Sequence, residues 1–216
     1  MRANRGFTLI EMMVVIAIVG IVSAMAVAGF RAARRNASVQ GTAFELALQL
    51  DGLRTRALRD QRDLVAVIVD AGDIQACAHG SISECGMFRV VRPGPGFALN
   101  AGLLVNASEL DRETLPFGIR FHRAADGRAS PRPFNAIRIF DAELVGNCTG
   151  RACIGIRFGG DGTVGPEYPA GVPGNPKVGV AFALGSELTT ETLGTDQRGI
   201  FVTFPLGITK AFPTWQ

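Results

Sequence analysis

Residues 7–30 read Phe7-Thr8-Leu9-Ile10-Glu11-Met12-Met13-Val14-Val15-Ile16-Ala17-Ile18-Val19-Gly20-Ile21-Val22-Ser23-Ala24-Met25-Ala26-Val27-Ala28-Gly29-Phe30, 24 residues that carry one charge, Glu11. Met1-Arg2-Ala3-Asn4-Arg5-Gly6 precedes them with two positive charges, and Arg31, Arg34 and Arg35 end the apolar run. At about 1.5 Å per residue a helix of this length crosses a hydrocarbon core of roughly 30 Å. Three readings fit these residues. The first is a secretory signal peptide, with Arg2 and Arg5 as its basic start and Ala26-Val27-Ala28 as a small-x-small cleavage site. The second is a plain single-pass anchor. The third gives Glu11 a task, because a carboxylate inside a bilayer costs about 2.5–3.5 kcal/mol and is a functional residue by default.

Arg5-Gly6-Phe7-Thr8-Leu9-Ile10-Glu11, followed by some twenty apolar residues, resembles the type IV prepilin signature. The resemblance implies cleavage after Gly6 by a prepilin peptidase and N-methylation of the new N-terminal Phe7. It places Glu11 at the family's signature glutamate, which would pair with the free α-amino group of a neighbouring subunit. Many major pilins carry a kinking proline some twenty residues into the mature chain, whereas no proline precedes Pro93 here. A continuous helix is therefore expected.

Beyond Phe30 the apolar residues thin and become periodic. Ala32, Val39, Ala43, Leu46, Leu50, Leu53 and Ala57 follow one another at spacings of 7, 4, 3, 4, 3 and 4, one face of an α-helix. Arg54, Arg59, Arg62, Asp51 and Asp60 fall off that stripe and are expected in solvent. A coiled-coil seam is the rival use of the stripe; its small residues at 32, 43 and 57 suit docking on a sheet better. The spacing predicts one helix from Phe7 to about Asp60.

At Leu64 the period changes. Leu64-Val65-Ala66-Val67-Ile68-Val69 reads as a buried strand closed by the turn Asp70-Ala71-Gly72-Asp73. Further strands are expected at Met87–Arg92, Gly118–Phe121, Ala136–Phe140, Ile154–Phe158, Val178–Leu184, Gly199–Phe204 and Gly207–Ala211. Gly159-Gly160-Asp161-Gly162 reads as a hairpin turn rather than a phosphate cradle, and Gly165–Lys177, with four prolines, reads as irregular chain. The fold class is α+β: a long N-terminal helix, membrane-spanning and then amphipathic, packed on a mostly antiparallel sheet. The expected divisions are residues 1–6 (leader), 7–30 (membrane or filament-core helix), 31–63 (amphipathic stalk) and 64–216 (β-rich head). This order resembles the minor-pilin branch called the GspH/FimT family. The strand–turn Ile156–Val164 and a closing hairpin around Arg198–Ala211 carry that likeness.

Four cysteines form two local pairs, Cys77/Cys85 and Cys148/Cys153, and closeness in sequence favours disulfides within each pair over the two crossed connectivities. Such bonds suit a head exported to an oxidising compartment. A zinc site built on Cys77, His79 and Cys85 is the alternative, with a spacing unlike the usual close pairs. The two histidines, His79 and His122, stand apart from any nucleophile elbow, metalloprotease helix motif or Walker loop. No catalytic residue, metal or cofactor is expected, and the chain reads as the substrate of a peptidase and methylase, not an enzyme.

The formal charge of +3 divides unevenly: +2 in residues 1–6, −1 in 7–30, +3 in 31–63 and −1 in 64–216. Arg2 and Arg5 suit a cytoplasmic N-terminus, which would leave a single pass in the inner membrane and a periplasmic head. Two functions follow. One is structural: a minor pilin or pseudopilin that joins other pilins in a filament, initiating or capping a type IV pilus or a type II secretion pseudopilus. The other is binding, as an adhesin or as a DNA receptor in uptake. Arg120, Arg123, Arg128, Arg132 and Arg138 against the single acid Asp126 supply phosphate-reading charge. The Gly-Arg-x-Arg expected near the C-terminus of DNA-binding FimT-type proteins is Gly207-Ile208-Thr209-Lys210 here, which leaves only Lys210 in place and weakens the DNA reading.

Overall fold

A computed structural model describes residues 8–70, 86–99, 107–115, 119–121, 136–138, 141–148, 150–169, 174, 176–186 and 198–213. Helix α1 spans Leu9–Asp60, 52 residues, as the unbroken periodicity requires. It ends in a Schellman motif. Gln61 adopts φ 50°, its N–H donates to the Leu58 carbonyl (3.3 Å), and the Arg62 N–H donates to Ala57 (3.2 Å). These two bonds satisfy carbonyls that the helix itself cannot pair.

The chain forms two compact units, Met1–Ser38 and Val39–Gln216. The first contains the apolar part of α1. The second begins inside the helix, so the residues from Val39 onward fall in the same unit as the sheets. Within this unit the stripe residues Val39, Ala43, Leu46, Leu50, Leu53 and Ala57 are buried. The core-facing use of the stripe is therefore the correct one. Ala32 lies in the other unit, and its side chain is outside the described residues.

Among the described residues ten strands follow: β1 Leu64–Val69, β2 Met87–Pro93, β3 Ala107–Thr114, β4 Ile119–Phe121, β5 Val145–Cys148, β6 Arg151–Phe158, β7 Val164–Glu167, β8 Gly179–Ser186, β9 Arg198–Thr203 and β10 Thr209–Pro213. One sheet has the order β3-β2-β1-β6-β5, with β7 also pairing β6; the other has the order β10-β9-β8-β4. Every strand pairing is antiparallel. The two-residue period of β1 sorts its side chains into two cores. Leu64, Ala66 and Ile68 join the α1 stripe and both sheets in the larger one, with Phe158, Phe182 and Phe201. Val65, Val67 and Val69 face a smaller one with Phe97, Leu99, Cys148 and Cys153. This is the expected α+β arrangement, and with its long N-terminal helix it fits the type IV pilin fold.

Several local expectations shift. Residues 136–138 form a turn with one bridging residue, not a strand; the rest of the expected Ala136–Phe140 strand lies outside the described residues. The last strand starts at Thr209, not Gly207, because Gly207 sits in the preceding turn at φ 67°. Strand β7 occupies the start of the stretch read as irregular. The turn between β6 and β7 is the hairpin anticipated: Gly159 N–H donates to Thr163 O (2.7 Å) and Gly162 N–H to Gly159 O (2.9 Å). That turn docks on the end of α1. A Cβ at Gly160 would stand 2.6 Å from the backbone of Gln61 and Arg62, and Gly160 N–H donates to Asp63 Oδ1 (3.1 Å).

Candidate functional site

The described chain begins at Thr8, so Gly6 and Phe7 lie outside it and their geometry is not described. The next residues form a capping box. Thr8 N–H donates to Glu11 Oε2 (2.8 Å), the Thr8 hydroxyl donates to the same oxygen (2.9 Å), and Glu11 N–H reaches Thr8 Oγ1 (3.3 Å). Threonine at the N-cap and glutamate three residues on satisfy two of the N–H groups a helix leaves unpaired at its start. The Thr-x-x-Glu spacing announces this pairing in the sequence, but reading Glu11 only against its family position missed it. Glu11 thus has a local job in the isolated chain: its charge is held by hydrogen bonds at the helix end rather than left bare among apolar residues.

From Leu9 to Val27 the helix averages a hydropathy of 2.5, and none of that stretch is buried. Leu9, Ile10, Met13, Ile16, Ile21 and Met25 are each more than 60% exposed. A stripe on one face would mark a helix made for one neighbour; apolar residues on every face mark one made for an apolar surrounding. The helix therefore has the composition and exposure of a membrane or filament-core segment, consistent with membrane anchoring.

In the head, Cys148 and Cys153 are bonded, with their Cα atoms 5.8 Å apart across the β5–β6 hairpin. Gly150 turns that hairpin at φ 83° and donates its N–H to Asn147 Oδ1 (2.9 Å). Cys77, Cys85 and His79, and with them the second bridge and the zinc alternative, lie outside the described residues, as does His122. Among the described residues no cluster of three or more His, Cys, Asp or Glu side chains is placed to hold a metal.

The arginine run is only partly described. Arg123, Arg128 and Arg132 lie outside the described residues; Arg120 sits in β4, opposite Gly185 of β8, with its side chain undescribed. Arg138 is exposed and lines a cleft of about 470 Å³ together with Asp141, Glu143 and Lys177. Lys177 Nζ binds Asp141 Oδ2 (2.8 Å) and Glu143 Oε2 (2.7 Å), and these bonds hold its ammonium charged above the usual range. Among the described lining residues two cations stand against two carboxylates. Lys210 is exposed on β10.

Two further ionic groups were not legible beforehand. Arg157 on β6 joins Glu167 of β7 (2.7 Å) to Asp63 just past α1 (3.1 Å). Arg89 and Arg112 both grip Glu109 on β3 at 2.7 Å, and these guanidiniums, Arg112 foremost, pull its carboxyl down to about 2. Arg157 with Glu167 and Asp63, and Arg89 with Glu109, join residues distant in sequence or in different strands, so no spacing announced them; Arg112 lies three residues from Glu109 on β3.

Residues 1–27 match the family model described as the prokaryotic N-terminal methylation motif. That match supports a type IV prepilin-like N-terminus. A prepilin-like start implies processing by prepilin peptidase and assembly with other pilins. No curated protein and no solved structure matches the chain.

Proposed function

We propose that this prepilin-like protein is a minor pilin or pseudopilin of GspH/FimT type, a structural subunit that helps initiate or cap a type IV pilus or a type II secretion pseudopilus. The observation that carries the reading is the methylation motif over residues 1–27 leading into an apolar, unburied helix that continues without a break to Asp60. Peptidase cleaves between Gly6 and Phe7, Phe7 is methylated, and residues 1–6 remain on the cytoplasmic side. Residues 7–30 hold the subunit in the inner membrane and later in the filament core. The β-rich head is periplasmic and kept by disulfides Cys148–Cys153 and Cys77–Cys85. Glu11 serves twice: Thr8 caps it in the isolated subunit, and on assembly it pairs with the methylated amine of a neighbour. The chain performs no catalysis of its own.

The mass of the mature N-terminus tests this. Co-expression with a prepilin peptidase should give a chain beginning at Phe7 and carrying one extra methyl group, and Glu11→Ala should be processed yet fail to enter filaments. A mature chain that begins at Gly29 would instead establish an ordinary signal peptide. Deletion separates the two machines: loss of twitching motility marks a pilus, loss of exoprotein release a secretion pseudopilus.

A further inference from the structure

No acidic residue stands between Glu11 and Glu45, and in that interval the only charges are Arg31, Arg34 and Arg35. All three lie within the continuous helix α1. Side chains on a helix reach neighbours three or four positions away, so none of these arginines has a carboxylate within reach along its own helix. Their spacing of i, i+3 and i+4 places the three positions within an arc of about 100°. Arg34, whose side chain is described, is exposed.

Depth supplies the partner. From Leu9 to Arg31 the helix rises about 33 Å, close to the thickness of a hydrocarbon core. With Leu9 at one boundary, the arginines emerge at the other at the level of the lipid headgroups, on a helix whose apolar part is wholly unburied. We propose that Arg31, Arg34 and Arg35 form a collar that binds the phosphates of anionic phospholipids. The planar guanidinium donates paired hydrogen bonds to phosphate oxygens, and its aliphatic stem lies along the acyl boundary while the charge stays in the headgroup layer. Once residues 1–6 are removed, the collar is the cluster of basic side chains that remains beside the apolar run. It fixes the depth of the subunit and must be released when the helix leaves the bilayer for a filament.

This inference rests on residues 7–30 being membrane-inserted, and the experiment separates the two. The full chain is reconstituted into phosphatidylcholine vesicles containing trace spin-labelled phosphatidylglycerol or spin-labelled phosphatidylcholine, and the fraction of motionally restricted label is read. The wild-type chain should restrict phosphatidylglycerol at least about threefold more strongly than phosphatidylcholine, a preference that fades with added salt. The triple change R31Q/R34Q/R35Q should abolish the preference while the chain still restricts lipid. R31K/R34K/R35K should keep most of it. Restricted lipid with no preference in the wild-type chain, or a preference that survives the glutamine variant, overturns the collar and leaves insertion standing. That result would direct the arginines to carboxylates of a neighbouring subunit. No restricted lipid of either kind overturns both the collar and the membrane reading.

Discussion

The two halves of α1 share one backbone geometry and differ in the surroundings for which they are written. Between Leu9 and Val27 apolar side chains occupy every face and none of the stretch is buried. Between Val39 and Ala57 one apolar stripe is buried, with Val39, Leu50 and Ala57 fully covered, while Phe44 and Leu48 off that stripe stay exposed. In the second half polar and charged residues interleave with the apolar ones, and the buried apolar residues are sorted onto one face. A helix that will meet lipid or like helices on all sides needs no polar face, whereas one that closes a head must keep water on the other side. The exposed residues of the second half show this, with Glu45, Asp51 and Arg59 turned outward.

That contrast can be broken most severely at Leu50, at the centre of the larger core. Leu50→Ala should destabilise the head by about 3 kcal/mol, read as a fall in the denaturant midpoint of the full chain in detergent. Ile16→Ala, on the unburied half, should leave that midpoint unmoved. Equal losses at the two positions would show that the first half also packs on the head. Gly160→Ala tests the seat of the helix end, since its methyl group would meet the backbone at residues 61–62; a loss of about 2 kcal/mol is expected for such overpacking. Cys148→Ser/Cys153→Ser should cost a similar amount, about 2 kcal/mol for so short a loop, read as a fall in the same midpoint.

The smallest effect is electrostatic and belongs to the head alone. Glu109, held down to about 2 by Arg112 and Arg89, binds a proton more readily when unfolded than when folded. Its contribution is thus complete above the ordinary carboxylate range and is lost as pH falls from about 4.5 towards 2. Solvent reaches half of the Arg112 side chain, which limits the gain to about 1 kcal/mol. Midpoints measured across that range should fall less steeply for Glu109→Gln than for the wild-type chain, and parallel curves would assign the acid sensitivity elsewhere.

The sequence by itself determined what depends on neighbours along the chain. Helix α1, its apolar and amphipathic parts, strand β1, the β6–β7 turn and the pairing of Cys148 with Cys153 were all legible, because each is set by a period, a turn residue or closeness in sequence. The tertiary structure alone decided what depends on residues far apart. Strand β3, Ala-Ser-Glu-Leu-Asp-Arg-Glu-Thr, has no alternating apolar face; it is a strand because its backbone pairs with β2 and its Glu109 receives Arg89. Strands β5 and β7 are four residues each and contain Gly or Pro, too short to show a period before β6 offers them an edge. The same division holds at the assembly segment. The residues of the processing motif could be read directly, but the Thr8 cap on Glu11 and the unburied state of the helix beyond it became visible only in three dimensions. A hydrogen bond needs distance and direction, and exposure depends on everything that does not fold against the chain.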